Sequence, residues 1–159
     1  MGFDLHIVPA QAVTQGTEEQ WNLYFESEPA GEKLGGAAYV GAIIELTQRH
    51  VGQGEKAGSI ETFWRLHSED RPFWRPTEIS VLQRELAHIR ETLNSVPINT
   101  TTLLYDNDEE VRQRKADFKK SHPDRPLSSV ADLFYYFFDA FELMIDRAIA
   151  TNGGLVATY

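Results

Sequence analysis

The stretch of sequence that decides the fold is SSVADLFYYFFDAFELMIDRAIAT, residues 128–151. At 100° per residue, its large apolar side chains share one face of a helix and most of its acids lie on the opposite face. The apolar face consists of Val130, Phe134, Phe137, Phe141, Met144 and Ala148. Ser128 and Ser129 are typical of a helix start, and Asn152-Gly153-Gly154 is typical of a helix end. We therefore predict one long helix over residues 128–151 at the centre of the core.

Three further segments have helical patterns. The clearest runs from Pro76 to Leu93, with Thr77 as the candidate N-cap, because its apolar residues recur at spacings of three and four. These residues are Ile79, Leu82, Leu86, Ile89 and Leu93. We also predict a helix over residues 34–51 and a polar helix over residues 106–120, whose acids precede its bases as the helix dipole favours. Residues 52–76 are predicted to be a connector punctuated by glycine and proline.

The two ends of the chain have strand patterns. Residues 3–7 alternate apolar and polar side chains, and residues 155–159 could pair with them. Residues 17–25 and 98–105 fit a strand, a helix or a loop equally well. The sequence thus predicts a mainly α fold, a compact helical domain of about four helices. A small sheet that pairs the terminal strands would make it α+β. The length of 159 residues fits a single globular domain over residues 1–159.

Composition excludes several classes of protein. The chain has 24 acidic against 15 basic residues, a net charge of −9 and no cysteine. Without cysteine there can be no disulfide framework, thiol nucleophile or cysteine zinc site. A strongly acidic chain is also a poor general binder of nucleic acid, because phosphate neutralisation dominates that affinity. We find no signal peptide and no apolar run long enough for a membrane span, which predicts a cytoplasmic protein without membrane contact.

Short motifs that suggest catalysis or metal binding are incomplete in this chain. Glu85-x-x-His88 is half of a di-iron motif, but the second pair is missing and the two side chains point in different directions on a helical wheel. The segment 106–117 lacks the glycine that a calcium loop requires. We therefore predict no catalytic residue, no metal ligand and no cofactor.

Acidic residues of the last helix form the most regular candidate binding surface. Eleven of the 15 basic residues lie in residues 61–126, so the excess acid lies near the two ends. The acidic stripe consists of Asp132, Asp139, Glu142 and Asp146. It is either an ordinary solvated face or a surface that attracts a basic partner protein.

A stretch rich in tryptophan and arginine, residues 63–75, is the second candidate. Its candidate contact residues are Trp64, Arg65, Trp74 and Arg75, residue types that are common at binding hot spots. The alternative is structural, with Phe63 and Phe73 in the core and the arginines paired with the nearby acids Glu61, Glu69 and Asp70.

The opening pentapeptide MGFDL, residues 1–5, and the compact acidic composition resemble small bacterial proteins that include immunity-type inhibitors. The resemblance implies a non-enzymatic protein that covers the basic site of an effector, and it assigns a role to no residue. Our leading hypothesis is therefore a protein-binding domain for a basic partner. The alternative is a small enzyme or ligand-binding protein with a pocket near His67, Trp64 and Trp74. Small residues over 35–42 also suit a homodimer.

Overall fold

The computed structural model describes residues 2–15, 31–52, 60–98 and 109–158, and these ranges contain four strands and seven α-helices. The strands are β1 (Gly2–Val8), β2 (Glu32–Gly36), β3 (Phe73–Trp74) and β4 (Gly154–Thr158). The helices are α1 (Ala10–Gln15), α2 (Ala37–His50), α3 (Glu61–Ser68), α4 (Ile79–Asn94), α5 (Glu109–Ser121), α6 (Val130–Leu133) and α7 (Tyr135–Thr151). Among the helices within these ranges, none combines the length and the apolar character that a bilayer crossing demands.

The four strands form one antiparallel sheet in the order β2-β1-β4-β3. The strands from the two ends of the chain are neighbours, with Leu5 of β1 opposite Ala157 of β4. The short strand β3 extends the sheet, with Phe73 opposite Val156. The predicted pairing of the terminal strands is confirmed, and the fold is mainly α with a small sheet.

Helix α7 lies at the centre of the core, as predicted, with Phe137, Phe141 and Met144 buried. The prediction of one continuous helix over residues 128–151 is wrong. Phe134 has non-helical dihedral angles (φ −108°, ψ 23°) and separates α6 from α7. Its ring packs on the ring of Tyr39 with centroids 5.0 Å apart. The helix thus breaks at the residue that packs on Tyr39, and the periodicity of the sequence gives no sign of this break.

The helix predicted over residues 34–51 begins later than expected. Residues 32–36 form strand β2, which pairs with β1. Gly35 has a φ of 144°, a backbone conformation that an α-helix does not contain and that favours glycine. The helix therefore starts at Ala37, and the Gly36 N–H donates to both carboxylate oxygens of Glu110 at 3.0 and 2.9 Å. The side chain of Glu110, from a helix distant in sequence, thus accepts a hydrogen bond from a backbone N–H at the start of α2 that has no partner within the helix.

The predicted connector 52–76 contains a helix and a strand. The backbone N–H groups of Thr62 and Phe63 donate to the carboxylate of Glu85 at 3.2 and 2.7 Å. This cap on α3 comes from α4, more than 20 residues away in sequence, so local sequence does not show it. Short helices such as α1 and α3 and the break at Phe134 raise the number of helices above the predicted four.

The two middle helices match their predictions more closely. All five apolar residues of the α4 stripe are buried, namely Ile79, Leu82, Leu86, Ile89 and Leu93. Thr77 is not an N-cap, because it lies inside a 3-10 turn (Pro76–Glu78) in which Glu78 accepts from the N–H of Arg75. Helix α5 has the predicted acidic start and basic end. Residues 17–25 and 99–105 lie outside the described residues, and Ile98 follows an isolated bridge between Pro97 and Ser129.

Candidate functional site

Asp132, the first residue of the predicted acidic stripe, is part of the core. It is only 5% exposed, so its placement on a solvated face is wrong. Its carboxylate accepts from the Ser129 N–H at 3.3 Å, and its own N–H donates to the Ser129 hydroxyl at 3.1 Å. The Arg125 guanidinium donates to it at 2.9 Å. Asp132 therefore belongs to a capping box at the start of α6.

The other three stripe residues lie on α7 and contact polar side chains of α4. The Arg90 guanidinium donates to Asp139 at 3.0 Å and to Glu142 at 2.9 Å. The Gln83 amide donates to Asp146 at 3.4 Å. Asp139 and Glu142 thus share one cation of the fold, which neutralises one of their two negative charges.

Two of the predicted acids meet in a polar depression of about 380 Å³ between α4, α6 and α7. It is lined by Asp132 and Glu142 together with Arg90 and Arg125. Each of these guanidiniums is bound to one of the two carboxylates. Both predicted acids in this depression are therefore already paired within the fold.

Two members of the tryptophan and arginine stretch are structural. Trp74 is fully buried, and its indole N–H donates to the Thr62 carbonyl at 2.8 Å. Arg65 donates to the Phe73 carbonyl at 3.1 Å and pairs with Glu78. Trp74 is thus inaccessible to a partner in this structure, and Arg65 already has a carboxylate.

The remaining two members of that stretch lie nearer the surface. Trp64 is partly buried, and its ring lies 5.0 Å from the ring of His67. Arg75 is exposed, with its guanidinium carbon 5.8 Å from the ring centroid of Phe73. Their predicted role in partner binding remains a prediction.

A groove of about 400 Å³ lies between α2, α3 and the end of the sheet. Its buried lining is apolar and includes Ile44, Leu66 and Ala157. Its exposed lining includes three carboxylates, those of Glu45, Glu69 and Asp70, beside polar and small residues. We call these three carboxylates the rim. Apolar surface at the bottom and charge at the edge are typical of a binding site.

The rim differs from the α7 stripe in how its charges are balanced. Glu69 and Asp70 form no ion pair with any residue in the described ranges. Glu45 pairs with Arg49 at 3.0 Å, but both side chains are about half exposed, so water screens this pair strongly. The imidazole of His67 also lines the groove and is exposed. Two carboxylates of the rim are therefore available to an external cation.

Two of the α2 residues that line the groove are small. Ala37 and Gly41 line it and are exposed. A Cβ atom built on Gly41 meets no described atom within 4 Å apart from its chain neighbours and the adjacent backbone of its own helix. Of the small residues over 35–42 that we considered for a homodimer, Ala42 is buried, and the homodimer remains a prediction.

The groove overlaps only part of the pocket expected near residues 63–75. Leu66 and His67 line it, whereas Trp64 and Trp74 do not. From the sequence, Glu69 and Asp70 were considered only as partners of the nearby arginines. Their position beside Glu45 was missed because the three acids come from two separate segments that meet only in three dimensions.

Residues that could hold a metal ion do not cluster in the described part of the chain, where no group of three histidine or acidic side chains has suitable geometry. Glu85 is occupied as the cap of α3, and burial raises the pKa of its carboxyl, an effect that the two backbone donors only partly offset. His88 is exposed. Glu85 therefore caps α3, and His88 lies on an exposed part of α4.

No family model, no curated protein and no solved structure matches this chain.

Proposed function

We propose that this protein is a non-enzymatic binding protein that recognises a basic partner protein through the acid-rimmed groove. The observation that carries the proposal is the position of Glu69 and Asp70, two exposed carboxylates that form no ion pair within the described ranges, beside the apolar lining of the groove. Covering a basic site on an effector protein, as an immunity-type inhibitor does, is one concrete form of this function. It agrees with the cytoplasmic location that we predict from the sequence.

The two parts of the groove would act at different distances. Unpaired carboxylates attract a cationic surface over roughly one Debye length, about 8 Å at physiological salt. A net charge of −9 adds a long-range attraction that raises the association rate. The apolar lining stabilises the complex only after contact, because burial of apolar area is a short-range effect.

The rim suits a basic partner better than the α7 stripe does. A partner cation at Asp139 or Glu142 would have to compete with Arg90, which already binds both. A partner cation at Asp70 displaces only water. The same number of acids therefore offers more binding free energy at the rim.

Two matched variants test this proposal with a defined probe. The probe is a fluorescently labelled short peptide of alternating lysine and leucine, followed by anisotropy at low salt and at about 0.15 M salt. The rim variant combines Glu69→Gln with Asp70→Asn, and the stripe variant combines Asp139→Asn with Glu142→Gln, the two acids that share Arg90. Both variants lose the same charge, so any difference between them reports position.

We expect the peptide to bind the unmodified protein more weakly as salt rises. The rim variant should lose about tenfold in affinity and the stripe variant less than about threefold. Equal losses in both variants would show that net charge alone drives binding. Binding that does not respond to salt would overturn the proposal.

A small cationic ligand is the second candidate occupant. The groove volume of about 400 Å³ falls in the range of about 300 to 1,000 Å³ that is usual for small-molecule pockets. His67 at its edge could act as a polar contact for such a ligand. Hexylamine, which has one ammonium group and one alkyl chain, serves as the probe for this alternative.

A further inference from the structure

A glycine in the middle of α2 points to how the groove is filled. Gly41 lies inside a 14-residue helix, where glycine is less favourable than alanine by about 0.5 to 1 kcal/mol. Its φ is not in the left-handed region that would demand glycine. A Cβ built there meets no described atom within 4 Å apart from its chain neighbours and the adjacent backbone of α2. Neither backbone conformation nor internal packing among the described residues therefore requires glycine at this position.

The groove itself gives a reason for the missing side chain. Gly41 lies one helical turn before Glu45, and both residues line the groove. A side chain at position 41 would extend into the space beside the Glu45 carboxylate. A glycine keeps this space open and exposes backbone, so an incoming group can approach the helix closely.

The lining opposite Gly41 is suited to an aliphatic chain that carries a charge. Leu66 is buried on that side, and Glu69 and Asp70 follow it at the rim. Lysine and arginine side chains characteristically lay their methylene groups on apolar surface and keep the charged end in a polar environment. The charge at the rim and the apolar surface below it therefore complement one such side chain.

We infer that the groove holds a lysine or arginine side chain of the partner protein, with its aliphatic part between Gly41 and Leu66 and its charged end at the rim. This inference rests on the proposed function. It adds that the inserted partner residue is a lysine or an arginine, and that Gly41 leaves the space for its side chain. An apolar neighbour of that anchor in the partner would cover Ile44 and Ala157, which lie in the same lining.

Two leucine substitutions on α2 test the inference. Gly41→Leu fills the groove, whereas Ala38→Leu places the same side chain on an exposed position that does not line it. Gly41→Ala is the third variant, because it adds helix stability with little volume. Each variant is titrated with the lysine–leucine peptide and with a lysine–serine peptide, which keeps the charge and lacks the apolar side chains.

We expect Gly41→Leu to weaken the lysine–leucine peptide by about tenfold or more and Ala38→Leu to leave it within about twofold. Gly41→Ala should raise the melting temperature and weaken binding by less than Gly41→Leu. The lysine–serine peptide should bind the unmodified protein more weakly than the lysine–leucine peptide does, because it cannot cover the apolar lining.

The outcomes separate this inference from the proposed function. If Glu69→Gln with Asp70→Asn weakens binding but Gly41→Leu does not, the proposal of a basic partner is supported. The inference that a side chain inserts beside Gly41 is then wrong. If no peptide binds in a salt-dependent way, the proposed function fails. If hexylamine binds as tightly as the lysine–leucine peptide and competes with it, the occupant is a small cation and the protein anchor is wrong.

Discussion

Two acidic surfaces of this protein look alike in sequence and differ in structure. The α7 stripe presents Asp139 and Glu142 on a helix, and both bind Arg90 of α4. The rim presents Glu69 and Asp70 after α3, and neither has a cation partner among the described residues. The difference shows that the number of acids does not locate a binding surface. What matters is which acids the fold leaves without an internal partner.

Carboxylates that cap helices extend the same comparison. The buried Asp132 and Glu85 and the half-buried Glu110 each accept backbone N–H groups at the start of a helix. Carboxylates at such positions satisfy donors that the helix cannot satisfy itself. These three acids have internal donors, so they differ from the acids of the rim.

The largest effect on stability is expected from Asp132→Ala. The change leaves the buried Ser129 N–H without its acceptor and the exposed Arg125 guanidinium without its partner. We expect a loss of about 1 to 3 kcal/mol in the free energy of unfolding. Urea denaturation measures it, and Asp132→Asn, which keeps one acceptor oxygen, should lose less. If Asp132→Ala lowers the free energy of unfolding by less than about 0.5 kcal/mol, as an ordinary surface substitution does, Asp132 does not stabilise the fold as a cap.

Glu85→Gln should change how stability depends on pH. Burial raises the pKa of the Glu85 carboxyl, so folding favours the protonated form. The stabilising contribution of this group is full at low pH and is lost as the pH rises through its folded-state pKa. Glutamine keeps an acceptor oxygen for α3 but does not titrate.

Urea denaturation from about pH 4 to 7 tests this pH dependence. The free energy of unfolding of the unmodified protein, minus that of Glu85→Gln, should decrease as the pH rises. An increase would mean that the hydrogen bonds from Thr62 and Phe63 outweigh burial in setting the pKa.

Arg90→Met tests the comparison by making the stripe resemble the rim. It removes the cation shared by Asp139 and Glu142 and keeps an apolar contact for the Phe138 ring, which lies 5.4 Å from the guanidinium carbon. Because the pairs are largely exposed, the loss of stability should be about 1 kcal/mol or less. The lysine–leucine peptide should then bind α7 as a second surface. If the α7 stripe of Arg90→Met does not bind the peptide, the ion pairs with Arg90 are not the reason why the stripe fails to bind it in the unmodified protein.

The smallest effect is expected from Asp70→Asn. This side chain is exposed and has no ion pair within the described ranges, so the free energy of unfolding should change by less than about 0.5 kcal/mol. The same substitution should weaken the peptide measurably at low salt. A large loss in the free energy of unfolding would instead show that the Asp70 side chain stabilises the fold.

Periodicity in the sequence predicts the parts of the fold that depend on local pattern. The α4 stripe, the central position of α7 and the pairing of the terminal strands follow from it. Helix α3 could not be predicted, because its cap is the side chain of Glu85 on another element. The break at Phe134 and the burial of Asp132 depend on tertiary contacts in the same way.

The candidate site was less predictable than the fold. A groove forms where three separate elements meet, and only their packing brings Gly41 near Leu66. Trp74 matched a hot-spot residue by type, but its indole is used inside the core. Residue type alone does not distinguish a side chain that binds a partner from one that fills the interior.

The most direct test of the acid-rimmed groove is a titration of isotope-labelled protein with the lysine–leucine peptide, followed by amide chemical shifts in NMR. We predict that the amide signals of Gly41, Leu66 and Asp70 shift together and saturate with one affinity, while those of Asp139 and Asp146 stay in place. Shifts centred on Asp139 and Asp146, with Gly41 unaffected, would contradict the assignment of the groove as the binding surface.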